Sequence, residues 1–221
     1  VSHELRTPMS NIKMAIHMLR KDTTGDRRER YLEILQTECT REIELINDLL
    51  DLQRLEASSY PVSLQTIELD QFLPAVVAPF QNRVNDRQQI LKVNLPPTLP
   101  TLSTDQGSLE RILAELLNNA CKYTPPGGKV SFQVHLEAFD SNTPGITFEI
   151  GNQAEIPALE LPRIFEKFYR VPNADPWKQG GTGLGLALVQ RLVIQLGGTI
   201  QVDSKDNWTA FTIRLPLTHN P

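Results

Sequence analysis

A histidine followed by a glutamate near the start of the chain is the first candidate for chemistry. A neutral imidazole is a good nucleophile near pH 7, and an adjacent carboxylate can accept its ring proton. On a helical wheel with Leu5 at zero, His3 falls about 160° away and Thr7 about 200° away, so both are predicted to face away from the apolar side of their helix. An exposed histidine normally has no special role, so His3 and Glu4 gain meaning only from what the rest of the chain can bring to them.

Three polar side chains form a stripe on a helix that is predicted from Asp105 to Tyr123. Glu115, Asn119 and Lys122 are spaced i, i+4 and i+7, which places them on one helix face. Carboxylate and amide oxygens suit Mg²⁺, and a lysine ammonium neutralises phosphate charge. The stripe therefore indicates a site for magnesium and a polyphosphate, with a solvated helix face as the alternative for the stripe alone.

A glycine-rich segment, Gly180–Leu186, leads directly into an apolar helix. Its alternating glycines allow backbone N–H groups to approach an anion at a helix N-terminus, where the helix dipole favours negative charge. The segment is neither a Walker A loop nor a dinucleotide-binding fingerprint, because the Gly-Lys-Ser/Thr ending and the preceding strand are missing. It predicts phosphate binding, and a simple hinge at the start of a helix is the alternative.

The first of the elements that position these residues is a pair of helices in residues 1–57, joined by a turn at Asp22–Gly25. Apolar positions recur every three or four residues, which is a heptad-type seam. Because a two-helix hairpin encloses little core, the seams predict dimerisation into a four-helix bundle, and packing of the hairpin on the second domain is the alternative. The seam residues are Leu5, Met9, Ile12, Ile16 and Leu19 in the first helix and Leu32, Leu35, Cys39, Ile43, Ile46 and Leu50 in the second.

From residue 59 onward the sequence predicts a mixed α/β domain. Residues 151–182 have little periodicity and are predicted to form one long loop, and such loops in compact domains are usually functional. Predicted helices cover Asp70–Arg87, Asp105–Tyr123 and Thr182–Leu196, and predicted strands cover Ile90–Leu95, Lys129–Glu137, Ile146–Ile150, Thr199–Ser204 and Thr209–Leu215.

The composition excludes several classes of function. The 221 residues carry a net charge of −4, with 40% hydrophobic and 22% charged residues, which is ordinary for a globular protein. We predict neither a basic surface for nucleic acid nor a membrane-binding or membrane-spanning segment. Cys39 and Cys121 lack metal-ligand spacing and are predicted to be buried free thiols in a reducing compartment. Since the chain begins at Val1 within a helical pattern, we expect it to be part of a longer protein whose first helix continues upstream.

Taken in order, the motifs resemble those of a bacterial two-component sensor histidine kinase. Ser2–Pro8 is similar to the family's H box, Glu115–Tyr123 to its N box, Leu161–Arg170 to its F box and Gly181–Gly185 to its G2 box. Leu196–Ile200 is similar to the strand entry that follows in the family. The resemblance covers nearly the whole chain, and the four motifs have the family's order and spacing.

The resemblance implies an α+β fold with two domains. Residues 1–58 would be an antiparallel helical hairpin, truncated at its N-terminus, that forms a dimeric four-helix bundle and carries the phosphoaccepting histidine. Residues 59–221 would be a catalytic ATP-binding domain, an α/β sandwich of the kind shared with gyrase and certain chaperones.

Position by position, the resemblance also implies roles for the site residues. His3 would be the phosphoacceptor and Glu4 its general base, and Thr7 lies where many members orient a water for dephosphorylation of a partner. Asn119 matches the magnesium-ligand asparagine, and Glu115 occupies a position where many relatives have another asparagine, so both are predicted metal ligands. The implied nucleotide-binding residues are Glu115, Asn119, Lys122, Tyr123, Asn152, Ile156, Phe165, Arg170, Gly181, Thr182, Gly183, Leu184, Gly185 and Leu186, with Phe165 and Phe168 anchoring a mobile lid.

One motif departs from the family's pattern. Related kinases usually end a strand with Asp-x-Gly-x-Gly, whose aspartate accepts a hydrogen bond from the adenine amino group, whereas this chain has Phe148–Pro157 there. Counting back from Ile156 places Gly151 at the aspartate position, and strand alternation places Asn152 there. Asn152 is preferred, because its side-chain carbonyl can still accept from the amine. Relative to a carboxylate, the loss is on the order of 1 kcal/mol.

The function that the resemblance implies is autophosphorylation on His3 at the expense of Mg²⁺-ATP, followed by phosphoryl transfer to an aspartate of a response regulator. The expected partners are that regulator and a second copy of the chain through residues 1–58, with no nucleic acid and no direct membrane contact, in a cytoplasmic setting. Two alternatives stay open. One is a nucleotide-impaired dimeric scaffold or regulator phosphatase with little autokinase activity. The other is an ATPase of the gyrase–chaperone type, which the histidine-bearing hairpin disfavours.

Overall fold

The chain forms two compact units, Val1–Arg54 and Leu55–Pro221. The computed structural model describes residues 2–21, 25–57, 62–140, 143–172 and 181–218, with side chains from residue 7 onward. The predicted domain boundary between residues 58 and 59 falls within residues 58–61, which lie outside the described part, so it stays a prediction.

Two helices make up the first unit. α1 spans Ser2–Leu19 and α2 spans Asp26–Glu56. Asn11 Nδ2 donates a hydrogen bond of 2.8 Å to Glu38 Oε1. Because these two residues are about equally far along the chain from the turn between the helices, this contact shows that the helices run antiparallel. In the described part of the chain, no helix is both long and apolar enough to cross a membrane.

Most of the predicted seam is exposed in the single hairpin. Met9, Ile16, Ile43 and Ile46 expose between 47% and 60% of their surface. Cys39 is also exposed, so the prediction that it is buried is wrong for one chain by itself. It lies on the same seam, and a hairpin has no second layer to cover that side. Among the hairpin residues that the structure describes, the buried hydrophobic side chains are Ala15, Leu45 and Leu52.

The second unit alternates strands and helices. Its elements are β1 (Leu64–Glu68), α3 (Leu69–Asp86), β2 (Ile90–Asn94), β3 (Thr101–Asp105), α4 (Gln106–Tyr123), β4 (Lys129–Ala138), β5 (Pro144–Asn152), a 3₁₀ turn (Leu161–Arg163), α5 (Gly185–Gln195), β6 (Thr199–Lys205) and β7 (Trp208–Pro216). Five strands form one sheet in the order β2-β4-β5-β7-β6, in which β2 pairs with β4 in parallel and the other neighbours are antiparallel. β1 and β3 form a separate antiparallel pair.

One face of the five-stranded sheet packs against the helices and forms the core. On β5, alternate residues Ile146, Phe148 and Ile150 point to this face and are at most 1% exposed. The apolar face of α4, which includes the fully buried Ile112 and Leu116, contacts β5, α3 and α5. Helices on one side of a mixed sheet confirm the predicted α/β sandwich.

The predicted hairpin near the end of the chain is also confirmed. β6 and β7 pair in antiparallel fashion up to Lys205 and Trp208. Asp206 and Asn207 form the turn, and their φ angles of 53° and 59° are those of the tight turns that fit a twisted hairpin.

Several predicted element bounds are wrong. α5 begins at Gly185 rather than Thr182, because Gly181 and Gly183 have φ angles of 151° and 69°, which a right-handed helix does not allow. β5 continues to Asn152 rather than ending at Ile150, because Asn152 is still paired with strands on both sides. The predicted loop therefore starts after Asn152, and it contains the 3₁₀ turn. β1 and β3 are missed because each has five residues, most of them polar, and too few apolar residues to show alternation.

Candidate active site

α4 holds the predicted metal and phosphate residues, and side chains fix both of its ends. At its start, Asp105 Oδ1 accepts a hydrogen bond of 2.7 Å from the Ser108 backbone N–H, which confirms the predicted N-cap. At its end, the buried Gln89 Nε2 donates to the carbonyl oxygens of Cys121 and Thr124, at 2.9 Å and 2.6 Å. Because these bonds satisfy helix-end groups that would otherwise lack partners, they hold the polar face of α4 in one orientation.

The polar stripe of α4 faces the glycine loop that precedes α5. Glu115, Asn119 and Lys122 are half-buried, whereas the opposite face of α4 is buried. A Cβ added at Gly185 would lie 2.7 Å from Glu115 Oε2, and one added at Gly181 would lie 2.9 Å from Lys122 Nζ. The loop thus approaches the stripe so closely that a side chain at either glycine would require the end of Glu115 or Lys122 to shift.

Tyr123 and Leu186 border this region. Lys122 Nζ lies 4.9 Å from the centroid of the Tyr123 ring, which is a cation–π distance. Both Tyr123 and Leu186 are half-buried, so each retains exposed surface that a ligand can contact.

The glycine loop is held by hydrogen bonds to its backbone and by a buried leucine side chain. The Leu184 backbone N–H donates to Thr182 Oγ1 at 3.2 Å, and the Leu184 side chain is fully buried. The Gly183 carbonyl accepts a hydrogen bond of 2.8 Å from the Phe168 backbone N–H, which ties the F box to the loop. No side chain caps the start of α5 at Gly185, so its first N–H groups and the helix dipole favour an anion there.

The F box is anchored to the sheet by one of its phenylalanines. The Phe165 ring packs edge-to-face against Phe211 of β7, with centroids 6.4 Å apart and an interplanar angle of 87°. Arg170, which is predicted to approach a terminal phosphate, is exposed. Its role stays a prediction.

At the end of β5, Asn152 faces the helices and Gly151 does not. Asn152 pairs with Val130 and Thr209 and is 5% exposed. Gly151 lies on the other side of the sheet, where an added Cβ would lie 2.6 Å from Trp208 Cζ2. Between the two alignments of the eroded motif, this geometry favours the one with Asn152 at the aspartate position.

Sequence reasoning missed two hydroxyl groups that hold the segment after β5. Ser204 Oγ accepts a hydrogen bond of 2.8 Å from the Ile156 backbone N–H, and Thr209 Oγ1 donates to the Ala154 carbonyl at 2.8 Å. The two hydroxyls also hydrogen-bond to each other. The available signal was that Ser204 in β6 and Thr209 in β7 are small polar residues at positions that strand alternation directs towards the core.

The predicted phosphoacceptor residues belong to the first unit. His3 and Glu4 lie in α1, and their side chains lie outside the described part of the chain. Thr7 is exposed, as its position on the wheel predicts. The roles of these three residues stay predictions.

Two family models match the chain. Residues 1–58 match the His Kinase A (phospho-acceptor) domain, and residues 104–219 match the Histidine kinase-, DNA gyrase B-, and HSP90-like ATPase family. The chain belongs to the sensor histidine kinases. The second unit of this histidine kinase is accordingly of the ATP-binding class.

Individual histidine kinases are similar over the whole chain. The sensor histidine kinase WalK of Bacillus subtilis (strain 168) is 32% identical over 222 residues, which cover 98% of this chain and 35% of WalK. The structure of full-length ShkA in complex with AMPPNP is 26% identical, with a TM-score of 0.73, and the match covers 99% of this chain and 45% of that chain. The structure of the histidine kinase ThkA in complex with the response regulator protein TrrA has a TM-score of 0.77 at 19% identity, with coverage of 99% and 60%, and shows the shared fold. The chain spans about a third of the length of WalK.

The oxygen donors on α4 fit a magnesium ion that is shared with a nucleotide. Among the described residues, no group of three or more His, Cys, Asp or Glu side chains is placed to hold a metal alone. Mg²⁺ in nucleotide sites typically takes one or two protein oxygens and completes its shell with phosphate oxygens and water. Asn119 Oδ1 and the Glu115 carboxylate are donors of that kind, and Glu115 also lies 3.7 Å from Arg111 Nε.

Proposed function

We propose that this chain is the catalytic core of a sensor histidine kinase, which transfers the γ-phosphoryl group of ATP to His3 and then to an aspartate of a response regulator. The observation that supports ATP use most directly is the approach of the glycine loop to Glu115 and Lys122, because it unites an anion-binding helix start with oxygen donors and a cation. The position of His3 in the H box supports its role as the acceptor.

The proposed transfer needs no redox partner. A ring nitrogen of His3 forms a bond to the γ-phosphorus while the bond to the bridging oxygen breaks and ADP leaves, and Glu4 accepts the proton that the imidazole releases. Lys122 and the N–H groups at the start of α5 neutralise phosphate charge. Asn119 and Glu115 would hold Mg²⁺, whose charge stabilises the leaving diphosphate.

The acceptor is tested by His3→Gln. We expect this variant to lose ³²P incorporation from γ-labelled ATP, because a glutamine amide does not form the nitrogen–phosphorus bond. The matched control is His17→Gln, which changes an exposed histidine further along α1 and should label like the wild type. The wild-type label should be acid-labile and base-stable. Undiminished labelling of His3→Gln contradicts the assignment.

The metal assignment is tested by Asn119→Ala. We expect the Mg²⁺-dependent part of ATP affinity to fall by about tenfold or more. Removing a residue that only hydrogen-bonds to a metal ligand already costs about tenfold, and loss of the ligand itself should cost at least as much. Asn118→Ala is the matched control, since Asn118 accepts a hydrogen bond from Arg83 instead and should keep wild-type affinity. Equal affinities of the two variants for Mg²⁺-ATP contradict the assignment.

We also propose that two hairpins dimerise through the exposed seam. Ile16 lies on the seam and is 47% exposed, whereas Met14 is 53% exposed but lies about 180° from Leu5 on the wheel. Ile16→Lys should therefore weaken the dimer, and Met14→Lys should not, when molar mass is measured by light scattering over a range of concentrations. A monomeric wild type at all concentrations contradicts the proposal.

A second candidate function is a regulator phosphatase with little autokinase activity. It is favoured by one observation, which is that the segment Phe148–Pro157 lacks the Asp-x-Gly-x-Gly motif of related kinases. On the preferred alignment, the neutral Asn152 takes the place of the carboxylate. Under this alternative, the wild type fails to label itself but still accelerates dephosphorylation of a response regulator, and Thr7→Ala removes that acceleration.

A further inference from the structure

The end of β5 carries a side-chain amide that is buried and unpaired. Asn152 is 5% exposed, and its Nδ2 has no hydrogen-bond partner among the described residues. Leaving a buried donor unpaired is costly, and buried polar groups in native proteins are nearly always satisfied. The amide is therefore expected to bond to a group that enters the site, which is a ligand or, in its absence, an ordered water.

The polar groups beside Asn152 are engaged with one another. Thr209, its cross-strand neighbour, donates from Oγ1 to the Ala154 carbonyl at 2.8 Å and lies 2.8 Å from Ser204 Oγ. On the other side, its neighbour on β4 is the apolar Val130. The Asn152 amide is thus the group at this point of the sheet that is left for a ligand.

Asn152 lies on the same side of the sheet as the phosphate residues. It faces the helices, and α4, which bears Lys122 and Asn119, packs on β5. We place the base of a nucleotide whose phosphates lie between α4 and the loop at Gly181–Gly185 on this side of the sheet, towards Asn152. This step rests on the proposed function of the site.

We propose that Asn152 recognises the 6-position edge of the purine in either of two amide orientations, so that the site binds 6-oxopurine nucleoside triphosphates as well as ATP. With Oδ1 towards the N6 amino group and Nδ2 towards N1, the amide matches adenine. A rotation of 180° exchanges the two atoms, so that Nδ2 donates to O6 and Oδ1 accepts from N1–H of a 6-oxopurine. A carboxylate only accepts hydrogen bonds, so an oxygen that faces the 6-position, as the aspartate of related kinases does, accepts from the adenine amino group and repels O6.

The test compares ATP with ITP, whose hypoxanthine base has the 6-oxo edge without the 2-amino group of guanine. Dissociation constants of both nucleotides are measured with Mg²⁺ on the whole chain, by displacement of trinitrophenyl-ATP. We expect the wild-type constants to agree within about tenfold, because one amide makes two hydrogen bonds with either base. In Asn152→Asp, the preference for ATP over ITP should rise by about tenfold or more, because the carboxylate oxygen at the 6-position keeps one hydrogen bond with adenine and leaves O6 of hypoxanthine without a donor.

Asn94→Asp is the control, because Asn94 is exposed on the edge strand β2 and the substitution adds the same charge to the same domain. It should leave the ratio of the two constants unchanged. A wild-type preference for ATP above tenfold, or an unchanged ratio in a folded Asn152→Asp, overturns the inference. If Asn152→Asp does not fold, the wild-type ratio decides. Failure of the wild type to bind ATP at all overturns the proposed function instead, so the two failures are distinct.

Discussion

Gly183→Ala tests whether the contact between the F box and the glycine loop supports nucleotide binding. Gly183 has a φ angle of 69°, and a Cβ added there would lie 2.8 Å from the carbonyl carbon and 2.9 Å from the Cα of Phe168. These are backbone atoms that cannot rotate away. The alanine must therefore push the F box from the loop and break the hydrogen bond of 2.8 Å between the Phe168 N–H and the Gly183 carbonyl.

The expected cost has two parts. The left-handed conformation costs an alanine about 1–2 kcal/mol, and the lost hydrogen bond costs about 1 kcal/mol. If the loop must regain its native shape before it can bind ATP, the sum of about 2–3 kcal/mol appears as a fall in affinity of roughly 30-fold to 150-fold.

The matched control is Gly127→Ala. Gly127 has a φ angle of 78°, and a Cβ there would meet nothing within 4 Å, so this variant has the conformational cost without the collision. Displacement of trinitrophenyl-ATP gives the affinity, and urea unfolding followed by tryptophan fluorescence gives the stability of the second unit, which contains both tryptophans, Trp177 and Trp208. We expect Gly127→Ala to lose about 1–2 kcal/mol of stability and to bind ATP normally. Normal binding by Gly183→Ala, or equal losses in both variants, refutes the reasoning.

Two further predictions concern stability and thiol chemistry in the second unit. Asp105→Ala should destabilise it by about 2 kcal/mol in urea unfolding, because Asp105 caps α4 through Ser108 and also accepts a hydrogen bond of 2.8 Å from the Ser63 N–H. Asp105→Asn keeps one acceptor oxygen, so it should lose less stability. An equal loss of stability in the two variants contradicts this account. Burial raises the pKa of the Cys121 thiol, so Ellman's reagent at pH 8 should label Cys121 in a Cys39→Ser variant only after unfolding. Rapid labelling of Cys121 in the folded variant contradicts its buried placement.

The local features of the fold were predictable because they depend on neighbours in sequence. The Asp105 cap is formed with Ser108, three residues away, and the helical and strand periods of α4, β4 and the final hairpin are visible in short windows. β1 and β3 were not predictable in this way. Their five-residue stretches contain few apolar residues, and each is a strand because it pairs with the other. The central pair of the register, Thr66 and Ser103, is 37 residues apart in the sequence.

The sequence by itself determined the family, the order of the four motifs and the polar stripe at Glu115, Asn119 and Lys122, since motif order and helical spacing are properties of the chain alone. Only the tertiary structure decided which groups meet. The approach of Gly181 to Lys122 joins residues that are 59 positions apart in the sequence, and no local rule fixes such a distance. Which of Gly151 and Asn152 faces the helices depended in the same way on the pairing of β5 with β4 and β7, because a shift of one residue in a strand turns every side chain to the other face.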